Sequence, residues 1–499
     1  MDLRMSVMKK NAFWVIVSFA ILFAGCSQVF NEKKANQPPL STLQDRKDTL
    51  ATIAYTGKYI SSEEEMLSAL KVFLSEDDGN SMRGAIIDDE FELVEIYKET
   101  FAVDVNTTEN RAASISIYDT IPFYLFSITN KKSEIQKYAI TSTDMRIGNI
   151  IAVFDNEFEY DISNSPFMQM IAEEILNYAQ DTADIWNSLT SADIDRTQHR
   201  TAYEQYAMSS WAFSFEKFNS GNISNIMKTN WEQDGVYSDA IKAIKNNNTY
   251  VTGCTATAVA QLMAFHEYPS SCNSTRYSAL INNWAPAKNW SGNYDWEKMK
   301  KYSNIRYDAD ETSRMMVGAL MYDVAEGIIS TYEPNETSSN LTNAINYLRS
   351  INFSTLSLFD YSYDLFKSSI DNGSPVLVGG QAKRITHTQE KRFLWWKWTT
   401  TTYSYENGHA WIADGYCDLA VKMTNDAGAT EMLTANFIHC NPGWGSYDTG
   451  YFLESIFNFQ RPLLATDKVD SKRSASSEGT SYYYKYLLQM IPYIKPNGR

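Results

Sequence analysis

Five cysteines and five histidines are all that this 499-residue chain offers to thiol, imidazole or soft-metal chemistry. So few cysteines exclude a disulfide-framework protein, in which bridges stand in for a core. No paired C-x-x-C and no glycine-rich phosphate loop occurs, and no repeat at fixed period is visible, so nothing implies a metal, a nucleotide or any other cofactor. Positive charge is scarce too. The 44 Lys and Arg stand against 60 Asp and Glu, a formal net charge of −16, whereas a nucleic-acid partner requires a basic surface. What remains is ample material for a core: 44% hydrophobic and 14% aromatic residues, over a length that suggests two domains. The 12 Trp and 32 Tyr suit a protein outside the cell or one that grips extended ligands, and equally a large core.

The N-terminus predicts the compartment. Lys9 and Lys10 precede an apolar run from Ala12 to Phe23, too short for a membrane span and right for a signal-peptide core. The run ends in Phe23-Ala24-Gly25-Cys26, which resembles a bacterial lipoprotein signal, with Phe23 where Leu is usual. Cys26 would then carry the lipid, and the protein would be exported and anchored to a bacterial membrane. Segments 1–26 and 27–50 are expected to be signal and polar tether, 51–200 a first folded unit, and 201–499 a second.

In the first unit, Ser61-Ser62-Glu63-Glu64-Glu65 predicts a capped, solvated helix start, with Met66, Leu67, Leu70, Phe73 and Leu74 as its buried stripe. Ile121–Ile128 and Ile135–Ile140, joined by a polar turn, predict a hairpin. The second unit begins helical, around Cys254 and again near Met315–Ile329. From Val376 it turns strand-rich, so its class is α+β.

Cys254 follows Gly253 and opens Thr255-Ala256-Thr257-Ala258-Val259-Ala260-Gln261-Leu262-Met263, which places a thiol in the first turn of a helix. There the free N–H groups and the helix dipole favour the thiolate. A cysteine in an alanine-rich helix also packs as a small hydrophobe, so the residue alone leaves both readings open. His266 is carried more than three turns along that helix, His199 lies between the units, and His387 sits in a polar, basic loop. His409, after Asn407-Gly408, reads as the first residue of a strand leaving a turn. His439 and Cys440 alternate faces on a strand and cannot both ligate one metal with Cys417. Cys417 with Cys440 is the one disulfide worth entertaining. Trp395-Trp396-Lys397-Trp398 reads as a hairpin with one apolar face.

Cys254, His409 and Asn441 follow the order of papain-like cysteine peptidases, in which an asparagine orients the base. Gly253–Met263 followed by Phe265-His266-Glu267-Tyr268-Pro269 resembles the nucleophile helix of the streptopain family of bacterial cysteine peptidases. Asn407–Tyr416 resembles that family's histidine strand, Asn441–Phe452 its N-W-G-W-G...G-Y-F segment, and Trp231-Glu232-Gln233 its W-x-Q segment. The resemblance runs from about residue 225 to 496. More faintly, Lys137–Arg146 is similar to the inhibitory propeptide. Two positions depart from the pattern: Pro442 stands where Trp is usual after Asn441, and Val236 where Pro is usual.

The resemblance implies a papain-like α+β fold behind a propeptide, and an endopeptidase made as a zymogen that acts on protein or peptide substrates without cofactor. By position, Cys254 is the nucleophile, His409 the base, Asn441 its orienter and Gln233 an oxyanion donor. Trp444 walls the site, and Gly408 leaves room for substrate. An inactive binding protein on the same fold, or a papain-fold acyltransferase, would carry the same motifs.

Overall fold

The computed structural model describes residues 40–56, 58–75, 91–103, 119–155, 175, 178–180, 182–190, 192–193, 211–217, 225–393, 396–426, 428, 430–445, 448–457 and 486–498. The export segment with Cys26, His199 and Trp395 lie outside them. The expected tether gives way at Leu40 to helix α1 (Leu40–Thr56), whose Leu50, Ala51 and Ile53 are buried. Polar neighbours mask this apolar stripe in the sequence. Helix α2 (Glu63–Leu74) starts as expected at Ser62, which accepts from Glu65 N–H while Glu65 reaches back to Ser62 N–H. Glu65 is more than solvated charge, because its carboxylate also accepts from Phe213 N–H at 3.0 Å and pairs with Lys58 at 3.0 Å.

Eleven strands form one sheet among the described residues. They are β1 (Phe91–Val103), β2 (Asp119–Asn130), β3 (Gln136–Thr141), β4 (Ile150–Phe154), β5 (Trp211–Lys217), β6 (Phe359–Asp360), β7 (Val376–Phe393), β8 (Trp396–Asn425), β9 (Thr430–Asn441), β10 (Gly450–Leu453) and β11 (Tyr486–Ile491). The order is β1-β2-β3-β4-β10-β9-β8-β7-β11-β6, with β5 laid along the far end of β8, and every pairing is antiparallel. The hairpin expected at 121–140 is β2–β3. The two units meet in this sheet, because β4 pairs with β10 through Gly450↔Phe154 and Phe452↔Ala152.

Two sequence expectations change here. Asn407-Gly408 is no turn: β8 begins at Trp396, and His409 lies well inside it, opposite Gly380. His387 is likewise in strand β7, opposite Thr402, and not in a loop. Continuous pairing of two long strands overrides the local turn preference of Asn-Gly. The Cys417–Cys440 disulfide is also absent: both residues are buried and neither is in a disulfide. Cys417 is registered against Phe437 and Cys440 against Ala413, so neither is the other's cross-strand neighbour.

On the helical side, α3 (Cys254–His266) has every residue from Thr255 to Ala264 buried, and α4 (Glu311–Gly327) packs across it. Strand β8 separates two apolar clusters by its period of two. Ala410 and Ile412 join the cluster that contains α3 and α4, whereas Trp411 and Ala413 join the one that contains Leu50, Phe73 and Phe154. The α+β class is therefore observed directly.

One buried ionic cluster joins residues distant along the chain. His439 Nδ1 lies 2.5 Å from Asp414 Oδ1, and its Nε2 lies 2.9 Å from Asp155 Oδ2, while Lys137 donates to the other Asp155 oxygen, Oδ1, at 2.8 Å. Asp414 accepts from Met227 N–H at 2.9 Å as well. Burial opposes the imidazolium, but the two carboxylates prevail and raise the His439 pKa from 6.5 to about 10. The sign follows from linkage. With a folded pKa above the unfolded one, the stabilisation is complete below about pH 6.5 and is lost as pH rises through about 10. Thermal unfolding of the intact chain, followed from pH 7 to 10.5, should show a midpoint that falls with pH, and Asp155→Asn should move that fall to lower pH. Superimposable profiles would rule out the charged bridge.

Candidate active site

Helix α3 begins with a residue that only glycine can be. Gly253 has φ of 89°, and a Cβ there would lie 2.4 Å from Thr337 O. Cys254 follows as the first helical residue, half-buried and not in a disulfide. The other three described cysteines are buried. Burial raises the Cys272 and Cys440 thiols above their usual range, away from thiolate chemistry. Cys254 is thus the accessible thiol of the four, and it stands where the helix N-terminus favours the anion.

Gln233 is brought beside it through the backbone. Thr252 N–H donates to Gln233 O at 2.8 Å, and Thr252 Oγ1 donates to Tyr237 O at 2.9 Å. Gln233 itself is half-buried. The preceding Trp231 is fully buried.

His409 comes from β8, the strand that packs on α3. His409 is 7% exposed, and its ring stacks with those of Trp411 and Trp444, with ring centroids at 6.2 and 6.0 Å. Nε2 lies 3.0 Å from the carbonyl oxygen of Pro442. A carbonyl can only accept, so Nε2 carries a proton, and in the neutral ring the basic lone pair is on Nδ1. Burial pushes the imidazole pKa down from 6.5 to about 4, against the Pro442 carbonyl, which favours the cation. The ring is neutral at pH 7. Gly443, next to Pro442, has φ of 78°, and a Cβ there would meet Thr257 Cγ2 at 3.2 Å. The turn that holds His409 is therefore pressed against the first turn of the helix that bears Cys254.

The remaining expected residues are placed as follows. Asn441 ends β9, and its side chain is spent on other groups: Nδ2 donates to Thr229 O at 2.7 Å and to Asn230 Oδ1 at 3.3 Å, while Oδ1 accepts from Gly443 N–H at 3.2 Å. It also pairs with Gln261. The contact with the imidazole falls one residue later, on the Pro442 main chain. Trp444 is half-buried and stacked over His409, and Gly408 is half-buried just before it. His266 packs edge-on against Phe265 and Phe353 at the far end of α3, about 18 Å along the axis from Cys254. Two participants escaped the sequence reading, the Pro442 carbonyl and Gln261. The first has no side-chain signal, whereas the second is a polar residue at a core position of an apolar helix.

Residues 231–452 match the sequence model of the Peptidase C10 family. The resemblance seen in the sequence is thereby borne out for that segment. Streptopain of Streptococcus pyogenes serotype M28 is 25% identical over 229 residues, which take in 42% of this chain and 46% of that protein. The chain thus spans less than half the length of this curated relative. Among solved structures, a prointerpain A fragment of Prevotella intermedia overlaps 79% of this chain and 98% of its own, at 16% identity and a TM-score of 0.41. Active interpain A of the same organism overlaps 47% and 87%, at 20% identity and a TM-score of 0.30.

The imidazole gives a direct test. In a histidine-resolved NMR titration, the His409 ring should keep the neutral, Nε2-protonated form from pH 8 to 6 and titrate near about 4. Because this pKa is depressed, the associated stabilisation is present above about pH 6.5 and is lost as pH falls through about 4, the reverse of His439. A ring that titrates near 6.5 would contradict the buried, carbonyl-held imidazole.

Proposed function

We propose that this chain is an exported cysteine endopeptidase, made as a zymogen, that hydrolyses peptide bonds of protein substrates through Cys254 and His409. What supports the reading is an accessible thiol at a helix N-terminus together with a turn packed on that helix, Gly443 against Thr257, whose Pro442 carbonyl holds the His409 imidazole. The C10 family match over 231–452 supports the same chemistry.

In this mechanism His409 Nδ1 takes the thiol proton, and the sulfur of Cys254 adds to the scissile carbonyl carbon. The oxyanion is held by the Cys254 backbone N–H and the Gln233 side-chain amide, each such donor contributing about 3 kcal/mol to the transition state. The C–N bond breaks as the imidazolium protonates the leaving amine. Water, deprotonated by His409, then cleaves the thioester and restores the thiol. Asn441 serves indirectly, by fixing the strand end on which Pro442 sits. Trp444 closes the histidine side of the site against water, and Gly408 leaves the approach to it without a side chain.

Residues 51–200 would act as the inhibitory propeptide. Their place in the same sheet as the catalytic strands, through β4 and β10, supports an intramolecular inhibitor. Export and lipid attachment at Cys26 rest on the N-terminal sequence alone, and would tether the zymogen to a bacterial membrane.

The test is to treat the purified chain with a thiol-directed peptidyl electrophile, before and after limited proteolysis, and to follow cleavage of a denatured protein. Labelling at Cys254 and hydrolysis should both appear on activation. Cys254→Ala and His409→Ala should each lower kcat/KM by at least about 10⁴-fold. A wild-type chain that neither labels nor cleaves would overturn the proposal. Amine incorporation without hydrolysis would make the protein a transferase.

A further inference from the structure

Gln261 lies seven residues after Cys254, which at 100° per residue returns it to the same face of α3 two turns on. The other buried positions of the helix are Ala, Val, Leu, Met and Thr. A carboxamide among them is 0% exposed, and burial of such a group is costly unless its bonds are made. Here both ends are engaged. Oε1 accepts from Trp231 N–H at 3.0 Å and from Asn441 Nδ2 at 3.2 Å, while Nε2 faces Asn441 Oδ1 at 3.4 Å.

These partners belong to the two arms of the site. Trp231 stands two residues before Gln233, in the loop that reaches the helix start at Thr252. Asn441 stands directly before Pro442, whose carbonyl holds His409. Neither arm originates in α3. The two arms are also joined to each other, through Gly445 N–H to Trp231 O at 3.3 Å and Asn441 Nδ2 to Thr229 O at 2.7 Å. Gln261 is the side chain of α3 that hydrogen-bonds both arms at once.

We propose that Gln261 is a positioning residue that sets the oxyanion arm and the histidine arm in register with Cys254. The inference rests on the peptidase reading of the site and deepens it. Gln261 touches no reacting atom. Its effect passes through Trp231 to Gln233 on one side, and through Asn441 and Pro442 to His409 on the other. Misplacement of catalytic groups by about 1 Å costs on the order of 10²-fold in rate.

The test uses the full-length chain, with Gln261→Met as an apolar replacement of similar length and Gln261→Glu as the variant that keeps an acceptor oxygen. Active sites are counted by electrophile titration, so that only folded enzyme is compared. Gln261→Met should lower kcat about 10- to 100-fold with KM changed by less than about threefold, and Gln261→Glu should lower it less. The pH profile of Cys254 alkylation by iodoacetamide, and the His409 ring resonances, should shift in both variants. If kcat per active site, the alkylation profile and the ring resonances all stay at wild-type values while only the melting temperature falls, the residue is a packing group and the inference is wrong. Should Gln261→Met fail to fold, Gln261→Glu decides. If the wild type proves inactive, the peptidase reading fails on its own, and the His409 resonances still report whether Gln261 places that ring.

Discussion

A helix buried on all sides cannot shift to suit its neighbours, and α3 is such a helix from Thr255 to Ala264. Its N-terminus is therefore a fixed point, and everything that acts with the thiol has to be brought there. Gly253 is the entry condition, since any Cβ would strike the Thr337 carbonyl. The loop through Gln233 arrives by a backbone bond to Thr252, and the turn after β9 arrives by packing Gly443 against Thr257. Sheet and loops are arranged around the helix, and the interior of a protein is too densely packed for much slack in that arrangement.

Two buried histidines illustrate opposite uses of low dielectric. His439 has a carboxylate on each ring nitrogen and holds a proton far above the usual range, as a structural cation between residues distant along the chain. His409 has aromatic rings on its faces and a carbonyl at Nε2, and it gives up its charge. Burial disfavours the cation in both, and the neighbouring oxygen decides the outcome. A full negative charge overcomes desolvation, whereas a carbonyl dipole does not.

Much of this was legible in the sequence where the cause is local. Gly253-Cys254 before an apolar helix, the capping box at Ser62 and Glu65, and the β2–β3 hairpin each depend on a few consecutive residues. What escaped depends on contacts distant along the chain or on the main chain. The Pro442 carbonyl that meets His409 would be present with any side chain, so no residue code marks it. The Asn407-Gly408 pair carries a strong turn signal that was overridden by the long β7–β8 ladder. Nothing in the sequence ties His439 to Asp155, 284 residues earlier, whose carboxylate reaches it. Gln261 was within reach of sequence reasoning, as a buried polar residue on the thiol's own helical face, but its partners Trp231 and Asn441 come from separate segments.

The shared sheet has a topological consequence. Strand β10 is an interior strand, four residues long, with β9 on one side and β4 on the other. It is fitted closely to β4, for a Cβ at Gly450 would lie 2.2 Å from Val153 O. Removal of the N-terminal residues turns β10 from an interior strand into a rim, with a row of unpaired N–H and C=O groups facing outward and His439 stripped of one carboxylate. Strands β1 to β4 would leave together, and the bared edge of β10 would be complementary to the β4 edge of the piece removed.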